Sequence, residues 1–500
     1  MYKRRKILLA IIGMCLLVVI ARLLCHRELL GIEEIKCNEI EELIAGKDEI
    51  FGLSDRLLLN GEKLAYDVKD NAFYVSQSLT EKGWQGRLSL KDRESFEKIY
   101  IIAPSEDKKE AMAKNIHYQL CYVDNSKKCY QISDLIVSGM PVMKIDGDDM
   151  TLFFAQGKSL CVDSSDVNYE QRGQTTAHYD KKSYNLKIED GKKSLLGLRT
   201  DDDWILNALY DDMGLIHNQL SYQVWNEIAA LEKWKGNYAV NQEYVELILD
   251  GEYQGVYALS ERIDAKQLLM SDEDILFKVK GYPQHGGGDV IFTKQPKEPT
   301  FESDSLKAAF LDHFCRDNEI PFENSLILID YENALDYSLF CQMAAAADNP
   351  IKNSYLVGRR ALEFYKIDEI PWDCNITWGI KHFILTNEER IYDTEFKSLV
   401  VSSLWERNPE IVGRDLSERW FFLRERVLTE DNLKAILDEN FGLLHGSGAY
   451  DRNYQKWPTV SVCVGEEGEI LDAPVFEIWN DDSIYHYVEK RLEVLDEYYK

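Results

Sequence analysis

Asp348, Asn353 and Asp373 are the residues of this 500-residue chain whose types and spacing could do chemistry. Asp348-Asn-Pro-Ile-Lys-Asn353 sets a carboxylate five residues ahead of an amide. Pro371-Trp-Asp373 brings a second carboxylate after two strand-like pieces, Ser354 to Val357 and Leu362 to Ile367. Moving a phosphoryl group from a nucleoside triphosphate needs a carboxylate to orient an acceptor hydroxyl and take its proton. It also needs an amide or carboxylate oxygen for one metal ion, and a second carboxylate for the metals that bridge the phosphates. Oxygen donors of this hard kind suit magnesium or manganese.

Protein kinases deliver these parts in the same order: a base Asp on a loop, an Asn five residues on, and a metal-binding Asp after a short hairpin. Spacing alone reads as a structural turn, since Asp-Asn-Pro is an ordinary turn and such Asp/Asn pairs are common. Other chemistries find less support. His285-Gly-Gly-Gly-Asp289 is similar to a lipase oxyanion loop, but no GxSxG elbow accompanies it, and no HExxH, Walker A or GxGxxG pattern is present. A formal charge of -29 and a pI near 4.8 argue against nucleic-acid binding, which needs basic surface.

The elements that must position these groups follow from periodicity. Asp330 caps a predicted helix through Leu335, Leu339, Phe340 and Met343, which must stop before Asp348-Asn-Pro350. Leu215 to Leu231 carries apolar residues at helical spacing. Tyr244 to Tyr257 reads as a hairpin turning at Asp250-Gly251. Strands are expected at Leu152 to Phe154 and Ser183 to Ile188, and the tail from about Asp393 is largely amphipathic helix. Ile32 to Ile44 reads as a short acidic helix or stalk. Ile50 to Val137 alternates short apolar runs with turn residues, as in a small β-sandwich. Cys121 and Cys129 are close enough in sequence for a hairpin disulfide, with unpaired buried thiols as the default.

Longer blocks carry a resemblance. Gln171-Arg-Gly-Gln-Thr-Thr-Ala-His-Tyr-Asp-Lys-Lys-Ser-Tyr-Asn-Leu-Lys-Ile188, Leu195-Leu-Gly-Leu, Trp204-Ile-Leu-Asn-Ala-Leu-Tyr-Asp-Asp followed by Asn218, Val245 to Glu261 and Pro371-Trp-Asp-Cys-Asn-Ile-Thr-Trp-Gly379 occur in order. Together they resemble the spore-coat CotH family, over about Gly139 to Gly379. The resemblance implies an α+β fold: a diverged, two-lobed protein-kinase-like domain (138–500) behind a stalk and β-rich accessory domain (25–137). It further implies ATP-dependent phosphorylation of protein Ser or Thr, with Asp348 as the catalytic Asp and Asn353 and Asp373 as ligands of Mg2+ or Mn2+. Arg172, Lys182 and Glu261 are its nucleotide-side candidates. Lys182 opens the strand after the Arg-Gly stretch, Lys181 is the alternative to it, and Glu261 either orients that lysine or ends its strand. The family usually has a second Asp two residues after the metal Asp, whereas this chain has Asn375. That departure points to lower metal affinity or to a non-catalytic envelope scaffold, and a separate alternative is transfer to a non-protein acceptor such as a glycan.

Lys3 to Lys6 precede an apolar run from Ile7 to Leu24 that is broken only by Arg22. As a helix the run would span about 27 Å, near the thickness of a hydrocarbon core. A basic tail and anchor (1–24) is therefore expected, with the tail cytoplasmic and the bulk of the chain outside. A cleaved signal peptide is the competing reading, but no small-x-small pattern follows the run. Protease added to intact cells with the outer surface accessible should digest the globular part. Protection until the membrane is broken would overturn this orientation.

Overall fold

Alternation of apolar and polar side chains organises the first half of the protein. The computed structural model describes residues 33–54, 56–76, 88–103, 117–156, 159–173, 175–231, 236–283, 287–316, 320–379, 392, 396–464, 469–474 and 480–500. The expected anchor, Ile7 to Leu24, lies outside them. No helix among the described residues is long and apolar enough to cross a membrane.

The N-terminal part is built from a mixed sheet and a smaller one. In the first, Cys129–Ser138 pairs antiparallel with His117–Asp124 and parallel with Ala72–Ser76. In the second, Leu57–Leu59 pairs with Leu88–Leu90. The outer residues of Leu-Leu-Leu and Leu-Ser-Leu turn inward, so Leu57, Leu59, Leu88 and Leu90 pack on Phe73, Val75, Leu120 and Leu135. The strand Glu33–Lys36 and the helix Cys37–Ile44 occupy the stretch expected to be a stalk. Cys121 and Cys129 are free. The register sets Cys121 opposite Ile132 and Cys129 opposite Asp124. The two thiols therefore belong to different rungs, about 10 Å apart along the strands, beyond the reach of a disulfide.

Seven strands then close into a barrel: β1 (Val142–Asp146), β2 (Asp149–Gln156), β3 (Ser159–Arg172), β4 (Ser183–Ile188), β5 (Asp203–Asn207), β6 (Gln242–Leu249) and β7 (Glu252–Ser260). Their order is β1-β2-β3-β4-β5-β7-β6, and a parallel pairing of β1 with β6 completes the ring. The β6–β7 hairpin turns at Asp250 (φ 49°) and Gly251 (φ 76°), the left-handed pair a two-residue hairpin needs. Met143, Leu152, Val167, Leu186, Trp204, Leu206, Leu247 and Leu259 fill the interior. Period two then sends Asn168, Glu170 and Arg172 of β3, Asn185 and Lys187 of β4 and Asp203 of β5 outward. All of these except Arg172 line, with Leu186 and Arg262, a cavity of about 310 Å³.

A four-stranded antiparallel sheet follows, ordered β9 (Ile291–Gln295), β8 (Ile275–Val279), β10 (Ser354–Ala361), β11 (Phe364–Pro371). Helices surround it: α1 (His217–Leu231), α2 (Phe301–Phe314), α3 (Phe322–Leu328), α4 (Tyr331–Ala344), α5 (Leu399–Arg407), α6 (Pro409–Arg424), α7 (Glu430–Gly446), α8 (Ala449–Lys456) and α9 (Asp482–Tyr498). One strand pair, Thr459–Val464 with Glu469–Pro474, interrupts the helical tail. The Asp330 carboxylate accepts from the Asn333 amide, so α4 begins where its cap was expected. From Asn333 to Ala344 every residue of α4 is buried, which makes it the central post of the helical region.

Polar locks join the parts. Arg452 of α8 forks onto Glu246 of β6 at 2.8 and 2.9 Å, and Tyr253 donates to the same carboxylate at 2.6 Å. Arg452 also reaches Ser138 at the end of the N-terminal sheet. Burial alone would push the Glu246 carboxyl up, but Arg452 holds it below its ordinary value.

Among the described residues no such cation meets Glu369 of β11. It is buried, its Oε1 has no hydrogen-bond partner among the described residues, and Ser398 donates to Oε2 at 3.4 Å. Burial raises its pKa well above the usual carboxyl value of 4.5. Over that interval the folded state holds a proton that the unfolded chain has lost, so stability falls as pH rises above about 5. Glu369→Gln should remove this slope. The variant should match the parent near pH 4.5 and exceed its unfolding midpoint at pH 7.5 by roughly 1–4 °C, the scale of one or two kcal/mol in a large chain. Parallel midpoint-versus-pH curves would show that Glu369 is not the titrating group.

Candidate functional site

Three local devices present Asp348. Ala345 (φ 44°) ends α4 in the left-handed conformation, and its N–H returns to the Cys341 and Gln342 carbonyls. Tyr337 donates to the Asn349 carbonyl at 2.6 Å. The buried Asn349 side chain donates to the carbonyls of Asn353 (3.1 Å) and Trp372 (2.8 Å). That amide ties the loop after α4 to the end of β11, and the Trp372 N–H completes the join by donating to the Asn353 carbonyl at 3.0 Å.

Asn353 (φ 55°) and Asp373 (φ 58°) both take the left-handed conformation, which Asn and Asp tolerate better than other non-glycine residues. Asp348 Oδ2 accepts from Lys352 Nζ at 2.6 Å and stands 3.4 Å from Asn353 Nδ2, while Oδ1 accepts from Tyr282 at 3.0 Å.

The segment after Asp373 is pinned to α1. The Asp373 N–H donates to the Tyr222 hydroxyl (3.0 Å), and the Cys374 N–H to Asn218 Oδ1 (2.8 Å). Trp378 N–H reaches the Ala344 carbonyl at 2.6 Å. Asn375 Nδ2 donates to Asp211 Oδ2 at 2.9 Å. The Asp373 side chain is exposed, yet protein crowds its other sides and pushes its pKa up. Arg172 and then Lys278 oppose that rise, Asp348 adds to it, and Lys352 opposes it. Burial also raises Asp211, to about 7, with Asp373 and Asp212 adding to the rise.

The structure brings Asp348, Asn353 and Asp373 together, and brings Arg172 to them from the end of β3. Burial lowers the Arg172 pKa, and Asp373 is the largest charge opposing that shift. Lys182 and Glu261 are placed elsewhere. The Lys182 ammonium is taken up by the carbonyls of Ala177 and Tyr179. Glu261 accepts the backbone N–H of Arg199 (2.9 Å) and both the N–H and Nδ2 of Asn241 (3.0 and 3.1 Å). It thus ends its strand by satisfying backbone, and no lysine among the described residues pairs with it. Lys181 is buried, donating to the Val256 carbonyl at 2.5 Å and to Asn453 Oδ1 at 2.8 Å, with Nζ 4.7 Å from the Tyr257 ring centre.

The lysine that does face Asp373 is Lys278 of β8, with Nζ 5.4 Å from the Tyr355 ring centre and 5.3 Å from that of Trp372. Burial pushes it down to about 8, Asp373 opposes the shift, and Arg172, Lys280 and Lys294 add to it. Its signal in the sequence was slight: a single lysine inside the apolar strand Ile275-Leu-Phe-Lys-Val279. Lys352 and Asp211 lie inside quoted motif stretches, but nothing in their spacing marked them beyond their charge.

Among the described residues, no three His, Cys, Asp or Glu side chains converge to hold a metal by themselves. The oxygens of Asn353 and Asp373 nonetheless fit magnesium, which takes one or two carboxylates and completes its shell with water and substrate phosphates. As a whole the site sets a loop carboxylate beside an amide, with a second, exposed carboxylate flanked by Arg172, Lys278 and Lys352. It can orient a hydroxyl at Asp348 and draw polyphosphate charge toward Asp373.

The family model described as CotH kinase protein matches residues 169–500. The match begins within β3 and takes in Arg172, Lys278, Asp348, Asn353 and Asp373. A search of curated proteins finds no match to the chain. With two thirds of its length covered by that family model and the site residues inside the match, the chain belongs to the CotH kinase protein family.

Proposed function

We propose that this protein is a membrane-anchored kinase that moves the γ-phosphoryl group of ATP to a Ser or Thr hydroxyl of a secreted or cell-surface protein. The observation that carries the reading is the junction at Asn349, which holds the Asp348–Asn353 loop against the strand end bearing Asp373, within a ring of three cations. In this reading the two lobes are the barrel and the helical region with its sheet, and the reaction takes place where they meet.

Asp348 orients the acceptor hydroxyl and takes its proton as the oxygen attacks the γ-phosphorus. The bond to the β–γ bridging oxygen breaks, and ADP leaves with that electron pair. Lys352 and Tyr282 fix the Asp348 carboxylate at its two oxygens. Asn353 and Asp373 would hold Mg2+ or Mn2+, which when bound neutralises phosphate charge. Arg172 and Lys278 add fixed positive charge on the phosphate side. The polar cavity on the outer face of the barrel includes Arg262, close enough to Arg172 to depress its pKa, and offers Asn168, Glu170 and Asn185 as hydrogen-bonding groups for the nucleoside.

Two variants of the full-length chain in detergent separate these roles. Asp348→Asn should keep ATP affinity and lose phosphoryl transfer by at least about a hundredfold, the scale of general-base catalysis. Asp373→Ala should abolish metal-dependent ATP binding measured by calorimetry. Equal transfer rates would remove Asp348 from the reaction, and unchanged metal-dependent affinity would remove Asp373 from the site. ATP binding without transfer to proteins, glycans or water would favour a scaffold.

The lysine assignment has its own test. Lys278 is charged below pH 8 and loses its charge above it, so nucleotide affinity should weaken as pH rises from 7 to 9.5. Lys278→Met should weaken ADP binding at pH 7 by roughly tenfold, the worth of one charged hydrogen bond, and flatten the pH dependence. Lys182→Met should leave both unchanged. The reverse pattern would restore Lys182 as the phosphate contact.

A further inference from the structure

Asp211 and Asp212 are adjacent carboxylates with different surroundings. Asp212 is fully buried and spent on the start of α1. Its oxygens accept the N–H groups of Ile216 (3.0 Å) and His217 (2.9 Å), and its Oδ1 stands 2.6 Å from His217 Nδ1. Asp211 is half-buried and spent on nothing comparable. Its partner is a neutral amide, Asn375 Nδ2, and among the described residues no basic side chain pairs with it. It nevertheless lies near enough to Asp373 for the two charges to repel. A half-buried carboxylate facing a like charge with no counter-ion costs stability unless a cation joins them.

Asn375 stands two residues beyond Asp373, on the segment pinned to α1 by Tyr222 and Asn218. With its nitrogen spent on Asp211, the Asn375 amide has only its oxygen left to ligate with, and that oxygen brings no charge. Charge for a divalent ion at this end of the site must then come from Asp373 and one further carboxylate. The geometry points to Asp211 as that second carboxylate: the Asp211–Asn375 pair acts as one acid and one amide that together complete the cation site begun by Asp373. This inference rests on the phosphoryl-transfer reading and gives a role to a residue that stood in the sequence only as part of the Tyr-Asp-Asp block.

The test is a side-chain exchange, read by calorimetric titration of Mn2+ into the full-length protein with and without ADP. Asp211→Asn is isosteric and should weaken Mn2+ binding at least about tenfold, the lower end of what supporting ligands contribute. It should also leave the metal-free unfolding midpoint unchanged or higher, because a repulsion is removed. The double variant Asp211→Asn with Asn375→Asp keeps one acid and one amide in the pair with their places exchanged, and should recover most of the lost affinity. Equal Mn2+ affinity in Asp211→Asn and the parent would overturn the inference alone. So would a double variant as weak as the single one, since the charge of the pair is then not what matters. A parent that takes up no Mn2+ with or without ADP would overturn the phosphoryl-transfer reading and this inference with it.

Discussion

The side-chain amide of Asn349 is the constraint on which the site depends. Its N–H groups donate to the backbone carbonyls of Asn353 and Trp372, one on each of the two segments that carry the proposed metal ligands, in a place that water does not reach. A buried amide left without these partners would cost about 1–3 kcal/mol. The loop and the strand end therefore lock to each other more firmly than either would hold alone. Asp348 is fixed from one side of this junction and Asp373 from the other. The left-handed backbone at Asn353 and Asp373 is sustained because the junction over-determines it.

Charge is distributed against the grain of the molecule. The chain carries a net -29, and such a surface repels nucleotides at long range. Arg172, Lys278 and Lys352 nonetheless surround Asp373, and Lys280 and Lys294 lie near enough to act on Lys278. Within a Debye length of about 8 Å at physiological salt, these nearby cations outweigh the distant acidic surface. Crowding by protein raises the Asp373 pKa and lowers that of Lys278, a pattern expected where charges wait for an ionic ligand.

Buried polar groups away from the site act as fasteners. Arg452 and Glu246 draw the N-terminal sheet, the barrel and α8 to one point. Asn453, the next residue of α8, packs where β7 has Gly255. A β-carbon there would sit 2.4 Å from Asn453 Oδ1, so only glycine allows the approach. The same oxygen accepts from buried Lys181 and from the Val256 N–H. Lys181, just ahead of β4 and adjacent to Lys182, thus serves to seat a helix from the far end of the chain.

What the sequence by itself determined was local. The Asp330 cap, the Leu215–Leu231 periodicity, the Asp250-Gly251 turn and the order Asp348, Asn353, Asp373 were all legible. Helices and hairpins are decided by hydrogen bonds and turn conformations within a few residues, and longer motif blocks fixed the family. Only the tertiary structure decided which charges meet. Lys278 pairs in register with Tyr355, some eighty residues on. Arg172 reaches Asp373 because β3 runs its full length within the sheet of a barrel closed by the parallel β1–β6 pairing. Asp211 meets Asn375 across the helix α1 that pins both of their segments. In the first two cases strand pairing over long separations sets the contact, and in the third the packing of two loop segments on one helix does. A shift of one residue would turn every such side chain to the opposite face, and no local pattern encodes that choice.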